Sequence, residues 1–295
     1  MKRAISAKTD FTEQNLPHNR WQLFGDLSKH RFGFLMKAGL LTALFFLPYF
    51  IWNTIMLEEL RLLADTVTET NVYEVAVKML ALSNTKNAVN VLFFGICAIG
   101  ISGGVSVIQK CAWGEIVFIS DFFVALKRDW LKDFFFGVIL GLSYWLAEYA
   151  IRFVPLSTLD TTVSVLMYGI TTVQFVLIAV MTMFSICQNA IYQLSILKLL
   201  KNSFAFTFKG FFPMLGIMIC VVCPVFLLFV NNMIVDIVAA VVFSLILGFG
   251  LLGIVLYADS LFDKYINKDN YPQLVDKNIN RTQKKIKLRR NNPFV

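Results

Sequence analysis

Charge is what this sequence has least of. Asp, Glu, Lys and Arg make up 16% of its 295 residues, against about 25% in a soluble globular domain. Hydrophobic residues make up 57%, more apolar surface than one or two soluble cores of this length could hide. Two histidines, His18 and His30, both in the N-terminal tail, exclude a histidine-rich metal scaffold. Few Gly and Pro (16 and 7) beside 29 Phe exclude collagen-like and disordered chains. The five cysteines, Cys97, Cys111, Cys187, Cys220 and Cys223, lie in or beside apolar runs. An odd number so placed does not make an extracellular disulfide framework. Residues 1–20 lack an apolar core, so no cleavable signal peptide is expected. Walker A, HExxH, GxSxG and acidic metal clusters are all missing. The expectation is a non-enzymatic protein with no catalytic residue, metal or cofactor.

What the chain has instead is long apolar runs. A bilayer core about 30 Å thick needs roughly 20 apolar residues as helix, because lipid offers no partner to an unpaired backbone group. Six runs qualify: Gly33–Leu57, Ala88–Ile108, Phe134–Pro155, Val163–Cys187, Phe211–Val230 and Met233–Tyr257. Asn231 and Asn232 form the turn between the last two. Basic residues alternate along the connections. The N-tail, the 109–133 connection (Lys110, Lys127, Arg128, Lys132) and the next basic one (Lys198, Lys201, Lys209) are cationic. Residues 58–87 are net acidic, and the 231–232 turn has no cation. The C-tail, ending KKIKLRRNN, is strongly basic. Since basic loops stay in the cytoplasm, the pattern predicts an all-α, polytopic transmembrane helix bundle with six spans and both termini cytoplasmic. The expected division is a membrane domain over 1–258 and a basic cytoplasmic tail over 259–295. That tail would contact anionic lipid in preference to nucleic acid.

Aromatic and basic segments precede the odd-numbered spans: Trp21–Phe34, Phe122–Phe136 and Asn202–Phe212. They fit either ordinary aromatic belts with cationic flanks or three copies of an interfacial helix, span, turn and span. Residues 58–87 are extracytoplasmic in this scheme, and their spacing of Leu60, Leu63, Val67, Val75, Met79 and Leu82 predicts short amphipathic helices.

Ionisable groups at membrane depth are costly, so they raise a functional hypothesis. Glu148 and Arg152 are four apart and can pair on one helix face. They fit a structural ion pair at the outer rim, or a substrate or proton site. With Gln174 and Asp236 they could line an outward-facing polar cavity. Asp121, Asp129 and Asp133, mixed with Lys127, Arg128 and Lys132, read as a solvated helix face. Cys220 and Cys223 form a CxxC inside a span with no ionisable neighbour, which reads as small packing residues beside a Pro224 kink. Gly100-x-x-x-Gly104 and Gly137-x-x-x-Gly141 predict close helix contacts, within the chain or in a dimer.

The segment GISGGVSVIQKCAWGEIVFISDFFVALKRDWLKDFFFGVIL (100–140) resembles the YesL-like family of bacterial integral membrane proteins. The matching residues are Gly114, Glu115, Val117, Ile119, Asp121, Phe122, Phe123, Ala125, Lys127 and Trp130. QNAIYQLSILKLLKNSFAFTF (188–208) and the first span's LPYFIW extend the likeness, while the long 58–87 segment and the basic tail depart from it. The resemblance implies an accessory role in the bacterial cytoplasmic membrane beside a carbohydrate transport or utilisation system. A sugar-transporter subunit would be the partner, and Asp121, Phe122, Phe123, Lys127 and Trp130 the interaction segment. The alternative is a small-solute transporter built on Glu148, Arg152, Gln174 and Asp236. A third reading, an enzyme acting on lipid-linked sugar, would need the Asp121–Asp133 acids.

Overall fold

In a computed structural model of the chain, residues 17–153, 160–225 and 233–279 are described. Every regular element among them is helical. Helix α1 (Arg20–His30) begins at Asn19, whose side chain accepts the Gln22 N–H while the Gln22 side chain accepts the His18 N–H. This reciprocal cap satisfies two N-terminal donors. Helices α2 (Phe32–Leu44) and α3 (Leu47–Ala64) follow, bent by 46° against each other, and only together are they long and apolar enough to cross a membrane. Pro48 sits in the first turn of α3 and has no N–H to offer the Leu44 carbonyl four residues back. An unbroken helix is therefore disfavoured at this point.

Helix α4 (Val72–Ala112) has 41 residues, about 60 Å at 1.5 Å per residue. Residues 58–87 do not form separate short helices. They extend α3 to Ala64 and supply the start of α4, with a turn between them. Asn71 closes that turn by accepting the Thr68 N–H at 2.7 Å and donating to the Thr66 carbonyl at 2.9 Å. Helical periodicity continues through both polar flanks, so the span helices grow through them.

Helices α5 (Ser120–Phe153), α6 (Thr161–Ile191), α7 (Ile196–Val222) and α8 (Met233–Phe262) complete the bundle. Of the three aromatic-basic segments, only the first contains a separate helix, α1. Residues 122–136 belong to α5 and 202–212 to α7. The break in α7 lies at Gly210, whose backbone leaves helical geometry three residues before Pro213. Pro224 instead falls in the 3-10 turn after α7. Five single helices, or six spans with the bent pair counted as one, are long and apolar enough to cross a membrane.

Helix α4 is the hub and packs against α2, α3, α5, α6 and α8. Lipid is as apolar as Leu, so contact here depends on close packing rather than on burial from water. A Cβ on Gly137 would stand 2.7 Å from Gly95 Cα, and one on Gly141 2.7 Å from Val91 Cα. Gly100 and Gly104 likewise abut Phe45 and Thr42, so both small-residue faces are used inside the chain. Cys220 and Cys223 are exposed rather than packed, turned outward from the bundle.

The boundary drawn at residue 258 falls inside α8. That helix runs to Phe262 and passes into a π-helical turn, Asp263–Asn267. Residues 276–279 then return to the α4–α5 loop, where the Asn278 side chain donates to the Ala112 carbonyl at 3.1 Å. The KKIKLRRNN stretch, the Asn231–Asn232 turn and Pro155 lie outside the described residues.

Candidate functional site

Two buried polar clusters mark the ends of the bundle. We call the end holding Arg20, Lys110 and Lys127 the basic end. At the opposite end, Glu148 and Arg152 pair as their spacing predicts, with Arg152 Nη2 2.6 Å and Nε 3.0 Å from Glu148 Oε1. A third partner was not evident in the sequence. Lys86 of α4, 4% exposed, places Nζ 2.9 Å from the same oxygen. One turn along α4, Asn90 exchanges two hydrogen bonds with Asn53 of α3, at 2.9 and 3.1 Å. Trp52 Nε1 donates to the Lys86 carbonyl at 3.2 Å. The carboxylate therefore carries both cations on one oxygen and joins α4 to α5. Gln174 is elsewhere, in the wall of a groove between α6 and α7. Asp236 lies in α8, and its side chain is outside the described residues.

At the basic end Asp133 is 1% exposed, which corrects the reading of a solvated face. Ser102 Oγ donates to its Oδ2 at 2.6 Å and Asn189 Nδ2 to its Oδ1 at 3.0 Å, tying α5 to α4 and α6. Burial of a carboxylate requires such donors. Beside it, Arg20 of α1 pairs with Asp259 at 3.5 Å and with Asp263. Gln109 Nε2 donates to Asp259 at 2.7 Å, Asn267 Nδ2 to Asp263 at 2.7 Å, and the Asp276 N–H to Asp263 at 3.0 Å. Tyr192 in the α6–α7 connection donates to Asn267, and burial raises its phenol well above the usual value. One network thus fastens α1, α4, the α6–α7 connection and the C-terminal segment together. Asp259 and Asp263, four apart at the end of the last apolar run, were the sequence signal for it.

The α4–α5 connection turns at Gly114, whose φ of +76° is favourable only to glycine. Glu115 pairs with Lys277 at 2.8 Å, and the Lys277 ammonium lies 4.2 Å from the Trp113 ring centroid. Asp121 Oδ2 accepts the Phe118 N–H at 2.8 Å, and Oδ1 lies 3.3 Å from Lys110. The backbone donor, then the Lys110 ammonium, holds the Asp121 carboxyl below its usual value. Much of the Gly114–Trp130 segment is therefore architectural. Phe122 in particular is 1% exposed and packs on Phe45, with ring centroids 6.0 Å apart, so it is not an outward contact residue. Ile116 (83% exposed), Phe118 (65%), Phe123 (49%) and Trp130 do face outward, as does Lys127.

Among the described residues no group of three or more His, Cys, Asp or Glu is placed to hold a metal ion. No protein-family model, curated protein or solved structure matches the chain.

Proposed function

We propose that this chain is a non-enzymatic accessory membrane protein working beside a bacterial carbohydrate transport or utilisation system. In this reading the α4–α5 connection and the first turns of α5 capture the partner, a membrane-embedded transporter subunit, at the cytoplasmic face. The observation that carries the reading is the exposure of Ile116, Phe118 and Phe123 in a connection that lies between two spanning segments, Val72–Ala112 and Trp130–Arg152. Lipid contact along a span does not account for apolar side chains there, and exposed apolar patches mark docking or membrane-interaction surfaces. The Gly114 turn, the Glu115–Lys277 pair and the buried Phe122 hold that surface in one shape. The likeness to YesL-like proteins centres on the same segment and supplies the carbohydrate context.

The ionisable residues favour this reading over a transporter. Glu148 is engaged by Lys86 and Arg152 together, and Gln174 lines a different, apolar groove. The test is co-purification from native membranes. A Phe123→Ala, Trp130→Ala double variant should insert and retain its melting temperature while losing the transporter subunit. Undiminished capture would contradict the reading, and solute uptake by wild-type liposomes that Glu148→Gln abolishes would favour a transporter.

A further inference from the structure

We infer that the groove between α6 and α7 is a binding site for an anionic phospholipid, with an acyl chain in the groove and the headgroup phosphate at Lys201. The groove holds about 760 Å³ and runs along one face of α6, where Leu166, Ile170, Val173 and Leu177 succeed each other at helical spacing. Its wall on α7 is Phe204, Thr207 and Phe208, all at the basic end of that helix. The break at Gly210 follows immediately.

Length and lining suit an extended chain. From Val165 to Met181 the α6 wall spans 16 residue steps, about 24 Å at 1.5 Å each. A groove of this length with apolar side chains on both walls matches an extended acyl chain. An extended hydrocarbon chain can lie in it at full depth.

Charge fixes the lipid class. Lys201 is exposed one turn before Phe204 on the same side of α7, and it makes no hydrogen bond or ion pair among the described residues. Neither α6 nor α7 contains a single Asp or Glu, so nothing acidic on the groove's own walls competes for that ammonium. A phosphate at headgroup depth with its chain among Phe204, Phe208 and Ile170 satisfies both ends of the site. Gly169 supplies the way to block it, because a Cβ there would meet nothing within 4 Å among the described residues.

The experiment uses the full-length chain, delipidated in detergent and titrated with phosphatidylglycerol or phosphatidylcholine of identical acyl chains. Native mass spectrometry counts the bound lipid, and circular dichroism checks each variant's helicity. Wild type should hold one phosphatidylglycerol, about fivefold tighter than phosphatidylcholine. Lys201→Glu should erase that preference, and Gly169→Trp should reduce both lipids to background. Equal affinity for the two lipids in wild type, or wild-type phosphatidylglycerol retention by Gly169→Trp, would overturn the inference. So would a dimer that Gly169→Trp dissociates, which would make a second copy the occupant. Lys201→Glu changes an exposed side chain and keeps the test open should Gly169→Trp fail to fold.

Discussion

Lys86 Nζ lies 2.9 Å from Glu148 Oε1, joining α4 to α5 through a lysine that the bundle almost completely encloses. The two residues are 62 positions apart, with a turn and most of two helices between them, so the pair fixes the register of α4 against α5. Arg152 shares the same oxygen but is much more open to its surroundings.

That asymmetry ranks three substitutions. Glu148→Gln strands Lys86 in the bundle without an anion, and breaking a buried pair this way costs about 3–5 kcal/mol. Lys86→Met leaves Glu148 its Arg152 partner and should cost less. Arg152→Gln, at the exposed end, should cost less than about 1 kcal/mol. Thermal unfolding in detergent checks the order; Arg152→Gln as the most damaging of the three would contradict it.

Arg20 is the only basic side chain given to both Asp259 and Asp263 among the described ion pairs. Arg20→Gln should therefore loosen two elements far apart in sequence, α1 and residues 263–279. Hydrogen exchange should rise in both segments together while α5 stays protected. A rise confined to α1 would show that the C-terminal segment is held by other contacts.

Phe122 and Phe123 are neighbours with opposite duties. Phe122→Ala empties a site inside the bundle and should cost about 3–5 kcal/mol. Phe123→Ala should leave the melting temperature near wild type and reduce partner capture. Similar thermal losses for both would place Phe123 in the core as well.

Asp121 gives the α4–α5 connection a pH dependence. Its carboxyl is held below the usual value, so the folded state prefers the ionised form. The stabilisation is present above the unfolded carboxylate's pKa and is lost as pH falls through the lower, folded one. Limited proteolysis at residues 113–119 should accelerate as pH drops through the acid range, and Asp121→Asn should be fast at every pH. A pH-independent wild-type rate would contradict this.

The long apolar helices were legible in the sequence, and rotation about the helix axis was not. Apolar runs located the five helices long and apolar enough to cross a membrane and the bent α2–α3 pair, and the i, i+4 spacing of Glu148 and Arg152 gave their pairing. Lys86 and Asp133, by contrast, sit at the edges of apolar runs, where a side chain can face solvent or the bundle. Only the packing of α4 on α5 decides which. The Gln109–Asp259 bond spans 150 positions, and no local pattern announces it. The apolar pattern points to a kink at Pro224, whereas the breaks lie at Pro48 and Gly210, whose effect on helix shape depends on the helices they lean against.

Photo-crosslinking in native membranes tests the docking account most directly. Benzoylphenylalanine replaces either Phe123, on the proposed contact surface, or Ile219, an exposed residue on α7. The account predicts a discrete adduct to a carbohydrate-transporter subunit from position 123 and lipid adducts alone from position 219. Lipid adducts alone from both positions would contradict it.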